Sequence, residues 1–454
     1  MSIAEKAAQL RSLVRLISDS AEAVIAEWET EGDTPHDVSL VPRLPSKELF
    51  EARRVFIGAC GMGMDLVHDP FVRMTEVAAS FYNSQALRIA AETRIADALK
   101  DANPQKGVSV QEISRQVGIA PEGLSKILRT LSSLHIFAEV EENFYCNTNT
   151  SRHLVNNEPL RCWLMVHCME TFTAAGKLPQ VLYNTVGKPS TGLRSAFQTA
   201  YDYTGSVWEW IEESIVQPDG TVGPRPELDI WLTGMWKFGL EHVQAPAVCL
   251  DFPWEAVGSK TVVDVGAGVG GMSFELATRY PKLQFVVQDR PVILEKAKEF
   301  WTSSLPDAGV KNRVRFHPQN FFEEQSVKGA DIYILRHIMH DWADDECVTI
   351  LKSLREAMGP ESLILVADNV MQTTAGSPHL KPAPAPLPAN YGFAHTFANM
   401  HDLLMFSMFN GGERTVGGFE SLAVRAGLKV TRMGKTETNP LERSGGQAQN
   451  MGVC

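Results

Sequence analysis

The chain is poor in the features that mark secreted, membrane-spanning or nucleic-acid-binding proteins. Its seven cysteines, Cys60, Cys146, Cys162, Cys168, Cys249, Cys347 and Cys454, are scattered, odd in number and without a Cys-x-x-Cys pair. That argues against a disulfide framework and against a thiol zinc site, and it fits reduced cytoplasmic thiols. Positive charge is in deficit: 42 Lys and Arg stand against 54 Asp and Glu, for a net charge of −12. Affinity for nucleic acid comes mainly from Lys and Arg on phosphate, so neither nucleic acid nor an acidic membrane surface is an expected partner. No apolar run approaches membrane-spanning length. The N-terminus reads as an amphipathic helix with acids in it, not as a signal peptide. The expected location is the cytoplasm.

The 454 residues allow two or three domains and a large core. One stretch organises them, Thr261 to Asp289, TVVDVGAGVGGMSFELATRYPKLQFVVQD. It reads as strand, glycine loop, helix and strand. Gly266, Gly268, Gly270 and Gly271 remove side chains where the backbone turns tightly or meets a ligand. Asp289 falls at the carboxyl end of the second strand, the edge where open α/β sheets bind ligands, placed to accept from both hydroxyls of a ribose. The string also fits a dinucleotide fingerprint, so NAD competes on this stretch alone. Two features lean away from NAD. The loop has no phosphate-directed Arg or Lys, and Asp264 lies inside the first strand, where a carboxylate suits a cationic amino-acid end.

Before this stretch the pattern is helical. Residues 3–29 carry Leu10, Leu13, Val14, Ile17, Ala21, Val24, Ile25 and Trp28 on one helical face. Such a helix must bury its stripe, on its own chain or, more in keeping with its isolation, on a partner subunit. A second helical stretch covers 46–68, weakened by Gly58, Gly61 and Gly63. From Pro70 to Val155, helices, a turn and the paired runs Ile136–Val140 and Phe144–Asn147 describe a winged helix. Its would-be recognition helix carries only Lys126 and Arg129, and its wing carries Glu139, Glu141 and Glu142, so dimerisation is the expected use. Residues 160–250 are helical and rich in large apolar groups. Most of these are core, with Trp231 and Met235 as candidates to line a pocket for a flat substrate.

Beyond the opening stretch, strands at 313–317, 331–336, 362–368 and 428–432 alternate with helices. This describes a doubly wound, mostly parallel α/β sheet. The Pro-rich stretch from Gln372 to Tyr391 reads as an exposed, extended insertion. The tail from Lys435 is polar, and only residues 451–454 suit a further strand. Three polar groups fall at or just beyond strand ends: His340 in RHIMHDW, Asp368 closing LILVAD, and Glu413 in NGGERT. A histidine flanked by carboxylates is a general-base arrangement, because the acids orient the ring and hold the imidazolium formed when it takes a proton.

The combination of VDVGAGVG, Gln288-Asp289-Arg290-Pro291, His340-Asp341-Trp342, Ala367-Asp368 and Gly412-Glu413-Arg414-Thr415 resembles the S-adenosylmethionine-dependent O-methyltransferases of the plant caffeic acid type. The likeness is closer to their fungal secondary-metabolite branch. It covers most of residues 70–433. It implies a Rossmann-like methyltransferase sheet behind an N-terminal winged-helix dimerisation domain, S-adenosyl-L-methionine as cofactor and a homodimer. The division expected is an arm at 1–69, a dimerisation domain at 70–158, a helical linker at 159–250 and a catalytic domain at 251–454.

Residue by residue, the resemblance puts Gly266 and Gly268 along the methionine end of the cofactor and Asp289 on its ribose. It puts Asn320, Phe321 and Trp342 beside the adenine, and Arg336 near the cofactor at a position held by Lys in plant members. His340 matches the catalytic base, and Asp368 and Glu413 match its flanking acids. Asp368 stands where plant members have the longer Glu, so its contact with His340 needs a shift or a water. No metal is expected. The implied reaction is methylation of a hydroxyl on an aromatic or alkaloid small molecule. Alternatives from other classes are non-methylating pericyclic or oxidative chemistry on the same fold, and a ligand-sensing winged-helix regulator.

Overall fold

The computed structural model describes residues 1–31, 46–183, 185, 193–235, 252–304, 312–433 and 449–453. The polar linker 32–45, Trp236, Phe238 and the tail from Lys435 to residue 448 lie outside the described residues. Two long helices open the chain, α1 (Ile3–Glu31) and α2 (Lys47–Val67). Ser46 caps α2 by accepting from the Leu49 amide at 2.9 Å, the usual way a helix start satisfies a free N–H. Part of the α1 stripe packs on its own chain: Val24 clusters with Leu49 and Ala52, and Leu13 with Ala59 and Leu387, while Val14, Ile25 and Trp28 stay exposed.

The insertion expected to be exposed is partly a docking surface for this helical pair. Leu387 and Tyr391 are buried, the Tyr391 hydroxyl donates to Glu51, and the Arg54 guanidinium sits 3.7 Å from the Tyr391 ring centroid. The glycines that weakened α2 on propensity make this contact possible. A Cβ at Gly58 would lie 2.4 Å from the Tyr391 carbonyl oxygen, and one at Gly61 2.3 Å from Phe393 Cβ. A local cost in helix propensity thus coincides with a close tertiary approach.

A winged helix follows. Strand β1 (Val108–Ser109) pairs with β3 (Phe144–Asn147), which pairs with β2 (Phe137–Glu141). Ile113, Leu124, Leu128, Leu131, Phe137 and Tyr145 form its core. The next segment is helical, interrupted by a hairpin of β4 (Ser214–Val216) and β5 (Val222–Pro224).

The last part of the chain builds a seven-stranded sheet. Its strands are β6 (Thr261–Val265), β7 (Gln284–Asp289), β8 (Val314–Pro318), β9 (Ile332–Arg336), β10 (Leu363–Ala367), β13 (Leu428–Met433) and β14 (Gln449–Val453). The short β11 (Val370–Met371) and β12 (Arg414–Thr415) pair separately. The order is β13-β14-β10-β9-β6-β7-β8, with every pair parallel. Strand alternation divides the core between two faces. Val263, Tyr333 and Leu335 pack with Leu351, Leu354, Phe419 and Leu422 on one side. Val262, Ile332 and Ile334 pack with Met272, Leu276, Leu294 and Trp301 on the other. The order reverses direction at β6 and β9, so the loops after these strands flank one crevice, where such sheets bind ligands.

Candidate active site

The first half of the crevice is a backbone cradle. Gly266, Gly268 and Gly270 all adopt positive φ, at 70°, 60° and 78°. A Cβ on Gly266 would lie 2.6 Å from Ile338 Cδ1 and 3.2 Å from Phe321 Cε1, so only glycine leaves this surface open. Asp289, at the end of β7, accepts from the Gly268 amide at 2.8 Å and from the Arg290 amide at 2.7 Å. Burial raises its carboxyl pKa, opposed by those two N–H bonds. The Arg290 guanidinium makes two bonds to Glu212, at 3.0 and 2.7 Å, tying the helical segment to the cradle.

Asp264 is buried in β6 and accepts from the Ser273 hydroxyl at 2.6 Å. Desolvation lifts its carboxyl pKa to about 6. Arg336, also buried, ends β9, and its charge opposes that rise. Phe321, Phe322 and Trp342 pack edge-to-face, with centroids 4.7 to 5.8 Å apart, and make an aromatic wall beside Gly266. Asn320 is exposed and engaged locally. Its carboxamide oxygen accepts from the Phe322 amide at 3.1 Å, and its nitrogen donates to Glu323 at 3.3 Å.

The second half is a cluster of ionisable groups. His340 lies in a short 3₁₀ turn, Met339–Asp341, just after β9. Its Nδ1 is 2.8 Å from Glu413 Oε1, and both side chains are buried. A carboxylate can only accept, so Nδ1 carries the hydrogen and the lone pair of the neutral ring is on Nε2. Burial alone lowers the imidazolium pKa, but Asp341, Glu413 and Asp368 outweigh it and lift His340 to about 10. Burial pushes Glu413 up, yet the bonds from His340 and His401 hold it well below the usual carboxylate range.

Asp368 takes a different part from the one expected. It accepts from the His340 backbone N–H at 3.1 Å, not from the ring, so it fixes the turn and acts on the imidazole through charge. Burial raises its own pKa. The Arg414 guanidinium clamps the same turn, donating to the Met339 carbonyl at 2.6 Å and the Trp342 carbonyl at 2.8 Å. Gly411 lets the following loop press close, since a Cβ there would lie 1.9 Å from the His340 carbonyl oxygen.

Two members of the cluster were not singled out in the sequence. Asp341 Oδ1 is 3.6 Å from His340 Nε2, and burial lifts its carboxyl to about 7. His401, on the helix Thr396–Phe409, places Nδ1 2.9 Å from the same Glu413 oxygen. The available signal was the pair His401-Asp402 one helix before NGGERT, where Asp402 accepts from the Glu413 amide at 2.8 Å. The ligand-type atoms of His340, His401 and Glu413 lie within 4.8 Å of one another. Their N···O spacings of 2.8 and 2.9 Å are those of hydrogen bonds.

Trp231 sits in a helical core with Trp210 and Met408, and its indole N–H donates to buried Glu170 at 3.1 Å. Met235 packs on the same cluster. Both positions are accounted for by packing. No described helix is long and apolar enough to cross a membrane.

An O-methyltransferase domain model matches residues 252–429, and an O-methyltransferase dimerisation domain model matches 75–157. The chain is 40% identical to O-methyltransferase tpcA of Aspergillus fumigatus over 94% of each chain, and 40% identical to O-methyltransferase gedA of Aspergillus terreus over the same shares. The solved structure of LepI in complex with SAM superposes with a TM-score of 0.66 at 22% identity, over 84% of this chain and 89% of that one. The sheet order, the glycine cradle and the winged helix define an α/β methyltransferase. The chain belongs to the S-adenosylmethionine-dependent O-methyltransferases.

Proposed function

We propose that this enzyme methylates a hydroxyl of an aromatic or alkaloid small molecule, with His340 as the general base. The observation that carries this reading is the buried bond from His340 Nδ1 to Glu413 Oε1, at 2.8 Å, which fixes the ring with Nε2 as its basic atom. The methyl of S-adenosylmethionine, attached to a sulfonium sulfur, is already electrophilic. The chain's task is to hold it in line and to take a proton from the acceptor. Gly266 and Gly268 leave the space for the cofactor's methionine end, Asp289 faces its ribose, and Phe321 and Trp342 flank its adenine. These residues fit such a ligand, because a Cβ at Gly266 would fill the cradle.

A phenol has a pKa of about 10 and is mostly neutral at pH 7. His340 is lifted to about 10, so both groups hold their protons at pH 7; once the pair has released one proton to solvent, the one that remains is shared between Nε2 and the acceptor oxygen. Glu413 and Asp341 stabilise the imidazolium as the proton arrives. Asp368 and Arg414 hold the turn that aims the ring. The dimerisation-domain match supports a homodimer. We assign the arm to 1–69, the dimerisation domain to 70–158, the helical linker to 159–250 and the catalytic domain to 251–454. The test is incubation with labelled cofactor and a panel of phenols, enols and N-hydroxyl compounds. S-adenosylhomocysteine formed in step with a methylated hydroxyl supports the reading. An acceptor consumed without S-adenosylhomocysteine overturns it in favour of non-methylating chemistry.

A further inference from the structure

Three side chains with metal-ligand chemistry converge in the cluster, and the mechanism above uses only two of them. Glu413 Oε1 lies 2.8 Å from His340 Nδ1 and 2.9 Å from His401 Nδ1. One ligand-type atom from each of the three residues lies within 4.8 Å of the others. They come from separate segments: the turn after β9, the helix Thr396–Phe409 and the loop after that helix. Bond lengths of about 2.0–2.1 Å to zinc give a tetrahedral ligand–ligand edge of about 3.3 Å. The two N···O contacts are tighter than that edge by roughly half an ångström. A small outward shift of the two rings therefore turns the hydrogen-bonded set into a coordinating one.

Three further observations point to a cation here. The Glu413 side chain is fully buried, and its second oxygen, Oε2, has no hydrogen-bond partner among the described residues. A buried carboxylate oxygen left unpaired is costly, and a positive ion beside it offsets that cost. Asp341 and Asp368 add two more carboxylates around the same ring. The nearby Arg414 guanidinium is spent on the Met339, Gly412 and Trp342 carbonyls and on Asp344. Finally, Asp341 Oδ1 lies 3.6 Å from His340 Nε2. A metal-bound imidazole commonly donates its other N–H to a carboxylate, and Asp341 stands in that position. His401 keeps 14% of its side chain exposed, so the cluster meets solvent on that side.

We propose that His340 Nδ1, His401 Nδ1 and the Glu413 carboxylate bind a divalent transition-metal ion of the Zn²⁺ class, and that the bound ion switches the base off. Two imidazoles and a carboxylate are a zinc set with a fourth position left open. Mg²⁺ and Ca²⁺ prefer oxygen ligands and fit it poorly. At each ring the Nδ1 proton leaves to solvent as the ion takes the lone pair. The one hydrogen that the ring keeps is on Nε2. His340 Nε2 is then a donor, aimed at Asp341, and has no lone pair for the proton of a hydroxyl. The inhibition half of this inference rests on His340 as the base; the binding half does not.

The test uses the full chain, stripped with a chelator, and the chlorides of Co²⁺, Zn²⁺ and Mg²⁺ as probes. Co²⁺ binding is followed by its visible spectrum, and methyl transfer to a phenol is measured in parallel. The wild-type protein should take up Co²⁺ with the intense visible bands of a tetrahedral site, and Zn²⁺ should displace it. Saturating Zn²⁺ should slow methyl transfer by at least about 100-fold, the worth of the lost base, and the chelator should restore it. Mg²⁺ should do neither. His401→Ala should weaken Co²⁺ binding by more than the 10- to 100-fold, roughly, that even an outer partner of a metal ligand is worth. Its own residual rate should not respond to Zn²⁺. His401→Cys puts a thiolate near the Nδ1 position. It should regain Co²⁺ with a sulfur-to-cobalt charge-transfer band, which loss of structure does not produce. The proposal is overturned if the wild type gives no tetrahedral Co²⁺ spectrum, or if His401→Ala binds Co²⁺ as tightly as wild type. Tetrahedral binding that depends on His401 but leaves methyl transfer undiminished supports the site and overturns His340 as the base.

Discussion

The two halves of the crevice are built in opposite ways. The side we assign to the cofactor is local: β6, the glycine turn and Asp289 span 29 consecutive residues, and Asp289 closes the loop by accepting from the Gly268 amide. Its surface is largely backbone, and what matters is the absence of side chains. The side we assign to the acceptor is assembled from distant segments. His340 follows β9, Asp368 follows β10, His401 lies on a later helix and Glu413 on the loop after it. There the buried charges sit within hydrogen-bond reach of one another, and each changes its neighbours' ionisation. The contrast teaches that a loop which excludes bulk tolerates no added Cβ, while a cluster of mutually bonded buried charges tolerates no lost charge.

Breaking the acceptor side should give the largest effect. His340→Ala is expected to lower kcat by about 10²–10⁴-fold, the usual worth of general-base help. Cofactor affinity should stay within about twofold of wild type in a binding titration, since His340 is not part of the cradle. Breaking the cofactor side comes next. Asp289→Ala should raise the cofactor Kd by about 10- to 100-fold, from the loss of charge-assisted hydrogen bonds of about 1.5–3 kcal/mol. It should weaken acceptor binding less. Gly266→Ala combines positive φ with a clash against Ile338. Calorimetry should show a loss of about 1–3 kcal/mol in stability, with weaker cofactor binding.

The pH profile sharpens the comparison. His340 is lifted to about 10, so kcat/KM should rise with pH through neutrality as the acceptor and His340 together give up one proton. Glu413→Gln removes a nearby anion, which disfavours the imidazolium. The rising limb should move to lower pH while the maximal rate falls. The smallest effect is expected at Asn320, whose side chain is exposed and bonded to its own turn. Asn320→Ala should change the cofactor Kd by less than about threefold, within the range of a single exposed hydrogen bond.

The same contrast explains what was legible in the sequence. Strand alternation and glycine spacing are short-range patterns, so the parallel sheet and the cradle could be read directly. The N-terminal helix was harder. Its periodicity showed a face to bury, and part of that face is covered by α2 and the Pro-rich insertion, through Leu13, Ala59 and Leu387, while Val14, Ile25 and Trp28 stay exposed. No local pattern links segments some three hundred residues apart. The insertion looked exposed because proline dominates it, while Leu387 and Tyr391 do the packing. In the acceptor cluster, motif order identified His340, Asp368 and Glu413, but not which atom met which. Asp368 holds the His340 backbone and not the ring. His401 gave only a His-Asp pair within an apolar helix, a pattern that usually reports packing. Its bond to Glu413 exists only once the helix turns back at Asn410, in the left-handed conformation.

The central claim is that the buried His340–Glu413 pair takes the acceptor's proton during O-methylation. It is tested most directly by single-turnover transfer of a labelled methyl group to a phenolic acceptor, with wild-type enzyme and His340→Gln at saturating cofactor. The expected result is one S-adenosylhomocysteine per methylated hydroxyl in the wild type, and at least about 100-fold slower transfer in the variant with cofactor still bound. Transfer by His340→Gln at the wild-type rate would contradict the account.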